Sequence, residues 1–182
     1  MYSKRTSSIR VALVAICAIM IFSGTAIADE TNGRKIGISA AIQTSQLDLM
    51  FPVWTSPKFV LVPSVALVKM TDVGTDIGLG MLFRFNTREG KVVPYFGFRG
   101  VAFIYSSDEP AVFPDLDDDS DSTTDFVVGP ALGGEYFFDD NFSVGIEGQV
   151  NVSISDENSF RFGNPDGVNF NTATMLTATI YF

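Results

Sequence analysis

From Phe142 to Ser155 the chain alternates with period two. Phe142, Val144, Ile146, Val150, Val152 and Ile154 share one parity, and Ser143, Glu147, Gln149, Asn151, Ser153 and Ser155 share the other. Successive side chains of a β-strand point to opposite sides. The segment therefore predicts a strand with one oily face and one polar face that carries an ionisable group. No α-helix accommodates this period. The same split recurs along the sequence. Ile77, Leu79, Met81, Phe83 and Phe85 oppose Asp76, Gly78, Gly80, Leu82, Arg84 and Asn86 within Thr75 to Asn86. Ile36, Ile38, Ala40 and Ile42 oppose Ser39, Ala41 and Gln43 within Lys35 to Gln43. Leu47, Leu49, Phe51 and Val53 oppose Asp48, Met50, Pro52 and Trp54 within Gln46 to Thr55. Leu176, Ala178, Ile180 and Phe182 oppose Met175, Thr177, Thr179 and Tyr181.

Three less regular segments complete a set of eight predicted strands. Phe59 to Met70 is apolar on both faces. Val92 to Ser106 sets Phe96, Phe98, Ala102 and Ile104 against Tyr95, Gly97, Arg99 and Tyr105. Thr124 to Phe138 sets Phe126, Val128, Leu132, Tyr136 and Phe138 against Gly129, Ala131, Gly133 and Glu135. Short turns fall at Ser56 to Lys58, Thr87 to Lys91 and Asp139 to Asn141. Long polar loops fall at Ser107 to Thr123 and Asp156 to Phe170. Membrane barrels pair short periplasmic turns with longer outer loops. With the N-terminus in the periplasm, both long loops fall outside.

The first 28 residues stand apart. Lys4, Arg5 and Arg10 precede the apolar run Val11 to Phe22, and Ala26-Ile27-Ala28 supplies a small-x-small cleavage site. This is the three-part pattern of a secretory signal peptide, so residues 1–28 are expected to be cleaved and 29–182 to form the barrel. The run is short for a membrane helix, which needs about 20 residues. Val14-Ala15-Ile16-Cys17 is a poor lipobox, since Ile16 is bulky and the apolar run continues past Cys17. Three of the 12 basic residues leave with the leader and all 21 acidic residues stay, giving a net charge of about −12. Such a surface disfavours nucleic acid, whose phosphates demand Lys and Arg. The single Cys, Cys17, also leaves with the leader, so no disulfide or thiol chemistry is expected.

Alternation alone does not say which face is inside. A soluble eight-stranded calyx binding an apolar ligand would turn the oily face inward. Three features favour a membrane barrel. The oily parity is dense in Phe, Ile, Val and Leu, too much bulk for so small an interior. The chain ends on a strand whose last residue is Phe182, so its edge is expected to pair with the first strand. Aromatics also gather near strand ends, at Trp54, Tyr105, Tyr136 to Phe138 and Tyr181-Phe182, like an interfacial girdle.

Gly133 to Glu147 resembles the penultimate hairpin of small outer-membrane β-barrel proteins, the group that includes the membrane domain of OmpA-like proteins. Val93-Pro94-Tyr95-Phe96-Gly97 resembles a strand opening of the same group. Leu176 to Phe182 resembles the C-terminal signal read by the outer-membrane assembly machinery, with Phe182 as its aromatic end. The resemblance implies an all-β, eight-stranded antiparallel up-and-down transmembrane barrel, in contact with outer-membrane lipid and lipopolysaccharide. Unlike full OmpA-like proteins, the chain is expected to carry no periplasmic peptidoglycan-binding domain after the barrel. An interior that narrow is filled by side chains. The parities send Arg84, Arg99, Glu135 and Glu147 inward, with Asp48 and Asp76 nearer the rims. Buried charges must pair, so an Arg–Glu network across the lumen is expected, either as a satisfied polar core or as the gate of a narrow pore.

The run Asp115, Asp117, Asp118, Asp119 and Asp121 is the strongest acidic cluster. An EF-hand loop starting at Asp117 wants Gly at its sixth position and Glu at its twelfth. The chain has Ser122 and Val128 there, so the run reads as a solvated, self-repelling loop, with loose Ca²⁺ or Mg²⁺ bridging to lipopolysaccharide as the other reading. The chain has no His. Ser–His and Asp–His mechanisms are therefore excluded, as are zinc sites with N or S ligands once Cys17 is gone. No cofactor is expected. The composition fits a non-enzymatic barrel with a structural or surface-interaction role, a narrow pore for ions or small solutes being the main alternative.

Overall fold

The computed structural model describes residues 36–43, 46–71, 73–107 and 122–182. The leader, its cleavage site and the Asp115 to Asp121 run lie outside the described residues. The period-two segments form strands β1 (Gly37–Gln43), β2 (Gln46–Met50), β3 (Val53–Ser56), β4 (Phe59–Met70), β5 (Gly74–Asn86), β6 (Val92–Ser107), β7 (Ser122–Phe137), β8 (Phe142–Ile154) and β9 (Val168–Tyr181). Apart from β2 and β3, which both pair with β4, strands consecutive in sequence pair antiparallel, and β1 pairs with β9 from Gly37 opposite Tyr181 to Gln43 opposite Met175. The sheet thus closes on itself.

The second stave departs from the sequence reading. Gln46 to Thr55 was expected to be one strand, but it is divided into β2 and β3, which lie end to end against β4. The break falls at Phe51-Pro52, because proline has no N–H to give a ladder. The join is kept by other bonds. The Phe51 N–H donates to the Pro63 carbonyl at 2.8 Å, and the Pro52 carbonyl accepts from the Gly37 N–H at 2.8 Å. Alternation lapses there too: Pro52, Val53 and Trp54 are all buried, although Val53 was expected to share the face of Leu47 and Leu49. With β2 and β3 counted as one stave, the fold is a closed, eight-stranded antiparallel barrel.

Elsewhere parity governs. Phe96 and Phe98 are each 51% exposed, Leu132 is 69% and Ile146 is 56%, while Tyr95, Arg99, Ala131, Glu135 and Glu147 on the same strands are buried. The oily face is outside and the polar face inside, the reverse of what an apolar-ligand calyx requires. The last strand starts earlier than expected, so the final loop is 155–167 rather than Asp156 to Phe170.

The expected aromatic girdle needs a second correction. Trp54, Phe137 and Tyr181 do not face outward. They meet inside the turn-side end of the barrel, with ring centroids 5.6–6.4 Å apart. Residues 136 and 138 must face away from 137 on a strand, and Tyr136 and Phe138 do lie outside, their rings 5.0 Å apart. The outer aromatics at this end also include the Phe59, Phe85 and Phe96 series, at 4.8 and 5.4 Å, and Phe142 against Phe138 at 5.5 Å. Phe182 is outward and exposed, and its N–H donates to the Ile36 carbonyl at 2.9 Å.

Candidate functional site: a tiered polar lumen

The lumen holds charges in three tiers, the lower two sealed from solvent and the loop-side one partly open to it. The turn-side tier rests on Glu135 of β7. Its carboxylate is ion-paired to Arg84 of β5 and accepts hydrogen bonds from Ser143 of β8 and, at 2.7 Å, from the Tyr181 hydroxyl of β9. Arg84 also donates from Nε to Asn86 at 2.9 Å. Its guanidinium lies 4.4 Å from the centre of the Tyr95 ring and 5.6 Å from that of Trp54. Cation–π contact of this kind gains strength when both partners are desolvated.

The middle tier is centred on Arg99 of β6. Nη2 donates to Asp48 of β2 at 2.9 Å, and Nη1 lies 3.9 Å from Glu147 of β8. Glu147 is held more closely by neutral groups: the Tyr95 hydroxyl donates to it at 2.8 Å and Gln149 Nε2 at 2.7 Å. The four charges named from sequence pair in two cells, Arg84 with Glu135 and Arg99 with Glu147, and Arg99 is held more closely by Asp48. Asp48, expected nearer a rim, is buried and bound to Arg99. The tyrosines complete both cells, because a phenol satisfies a buried carboxylate without adding a second charge.

The third tier, at the loop side, was only partly visible from sequence. Asp76 of β5 pairs with Arg161 of the 155–167 loop, and Arg161 Nε donates to Asp125 of β7 at 3.2 Å. Asp125 is 1% exposed. It shares the parity of Ala131 and Glu135, so the alternation already pointed it inward. Arg161 sits in a loop, where no periodicity assigns a side. Among the described residues no group of three His, Cys, Asp or Glu side chains could hold a metal ion.

No model of a known protein family matches the chain, and no curated protein matches it by sequence. Among solved structures, the N-terminal β-barrel domain of Pseudomonas aeruginosa OprF aligns over 85% of this chain and 100% of that domain, with a TM-score of 0.50 and 13% identity. In fold, the chain is similar to the OprF barrel. At that identity the similarity extends to architecture alone. The tiers described above belong to this chain's own side chains.

Proposed function

We propose that the chain is an outer-membrane β-barrel protein with a structural or surface-interaction role and no enzymatic activity. The observation that carries this reading is the outward ring of exposed Phe, Ile, Leu and Val around a closed sheet with a charged lumen. In hydrocarbon every backbone polar group must be satisfied internally, and a closed barrel does so without an edge. In water the same ring would be an apolar surface far larger than soluble monomers carry. Lipid and lipopolysaccharide are its natural surroundings, with the turns periplasmic and the long loops outside. The outward series Leu176, Ala178, Ile180 and Phe182 offers the assembly machinery its recognition strand. Expression of the full gene, membrane fractionation and electrophoresis with and without boiling test the reading. An outer-membrane protein whose unboiled band migrates apart from the boiled one is expected. A protein released with the periplasm and lacking that shift would overturn it.

A narrow pore is the second reading, favoured by a cavity in the loop-side lumen. It is weighed down by the Arg84–Glu135 tier and the Trp54–Phe137–Tyr181 cluster beneath, where the free space is only about 20 Å³.

A further inference from the structure

The two halves of the lumen are filled differently. On the turn side, side chains leave about 20 Å³. On the loop side a chamber of about 180 Å³ lies above the Arg99–Asp48 pair. Gln43, Gln149 and Asn151 give it amide walls, Val101 and Phe103 an apolar one, and Arg161 and Phe162 form its roof. At about 30 Å³ for each liquid water, it has room for several waters or one small polar solute.

The roof is a strap. The 155–167 loop joins β8 to β9, yet it is fastened to strands up to three staves from β8. Asp125 accepts from Asp156 N at 2.9 Å, Ser159 Oγ at 2.7 Å and Arg161 Nε at 3.2 Å. The other edge of the Arg161 guanidinium bonds Asp76, and its centre lies 4.5 Å from that of the Phe103 ring. Phe162 meets the Phe103 ring edge-on at 6.5 Å. One loop arginine thus spans β5, β6 and β7. The cover is partial, since Asn171 of β9 stays exposed while Asn151 beneath is 3% exposed.

We propose that the 155–167 loop is a lid over a blind vestibule, latched by Arg161 onto Asp76 and Asp125. Release of the latch admits polar solutes from the loop side as far as the Arg99–Asp48 tier and no further. The latch suits a reversible closure. Its guanidinium and Asp76 are each about a fifth exposed, so water competes for them, whereas the tiers below are sealed. The proposal rests on lumen side chains and not on the medium around the barrel, so it can be read in detergent micelles whether or not the protein fractionates with the outer membrane.

Cysteine accessibility tests it. In a Cys17→Ala background, Asn151→Cys places a thiol in the chamber, and Ser39→Cys places one in the turn-side half, where Ser39 is 3% exposed. The probe is a biotin-linked maleimide, with folding of each variant verified by the unboiled gel shift. Asn151→Cys should label slowly and about tenfold faster when Arg161→Ala is added, the change expected for a latch worth about 1.4 kcal/mol. Arg161→Lys should fall between, and Ser39→Cys should stay unlabelled throughout. An Asn151→Cys rate indifferent to Arg161→Ala overturns the lid. Ser39→Cys labelling as fast as Asn151→Cys overturns the blind end. Should Arg161→Ala fail to fold, Asp76→Asn removes one arm of the latch, and the same comparison decides.

Discussion

A carboxylate sealed inside a barrel loses the water that keeps it charged, and Glu135 replaces that water with side chains from three other strands. Removing one member strands the rest. Glu135→Ala leaves the Arg84 guanidinium buried and uncompensated, a change that typically costs about 3–5 kcal/mol. The double variant Arg84→Met with Glu135→Leu should cost less than either single change, since it buries no orphan charge. Urea unfolding in micelles, followed through the emission of Trp54, measures both; Trp54 is the only tryptophan and lies beside this tier. Gly133 makes a second residue-scale case. A β-carbon there would lie 2.4 Å from the Tyr95 ring and 2.7 Å from the Ile146 carbonyl. Gly133→Ala should push Tyr95 off Glu147 and cost about 1–3 kcal/mol by overpacking. An unfolding midpoint equal to that of the parent protein would show that Tyr95 has room to move.

At the scale of the strand, one rule explains most of what the sequence disclosed. Parity alone sent Arg84, Arg99, Glu135 and Glu147 inward and Phe96, Phe98 and Ile146 outward, because a strand side chain has only two directions to take. The rule stopped where the strand did. Pro52 interrupts the ladder, and Val53 then lost the side its parity assigned. Trp54, Phe137 and Tyr181 were misjudged for another reason: aromatic character near a strand end outweighed a parity that already placed Phe137 opposite its neighbours. Arg161 had no parity at all, and its partners Asp76 and Asp125 lie on strands far from it in sequence. The outward face carries its own prediction. In lipid, arginine on such a face costs about 2–4 kcal/mol at mid-depth and about 0–1 near the interface. Ile146→Arg, well inside β8, should therefore destabilise the folded protein in liposomes far more than Ile154→Arg at its loop-side end. Equal penalties at the two positions would mean that the face does not lie across a bilayer.

For the whole molecule, the filled turn-side lumen predicts electrical silence. Purified protein in a planar bilayer should show no unitary conductance above the leak of the membrane, and Arg161→Ala should not create one, because the lid and the plug are at opposite ends. Steady openings in the parent protein would favour the pore and require both lower tiers to rearrange. The tiers have another consequence for the molecule as a body. Ladder hydrogen bonds join each strand only to its neighbours and leave a barrel free to deform like an empty hoop. Arg99 to Asp48 joins β6 to β2, Arg84 to Glu135 joins β5 to β7, and Tyr181 to Glu135 joins β9 to β7. These bonds run as chords across the hoop. A hoop with chords resists being flattened, so lateral pressure from its surroundings meets a cross-section that stays round.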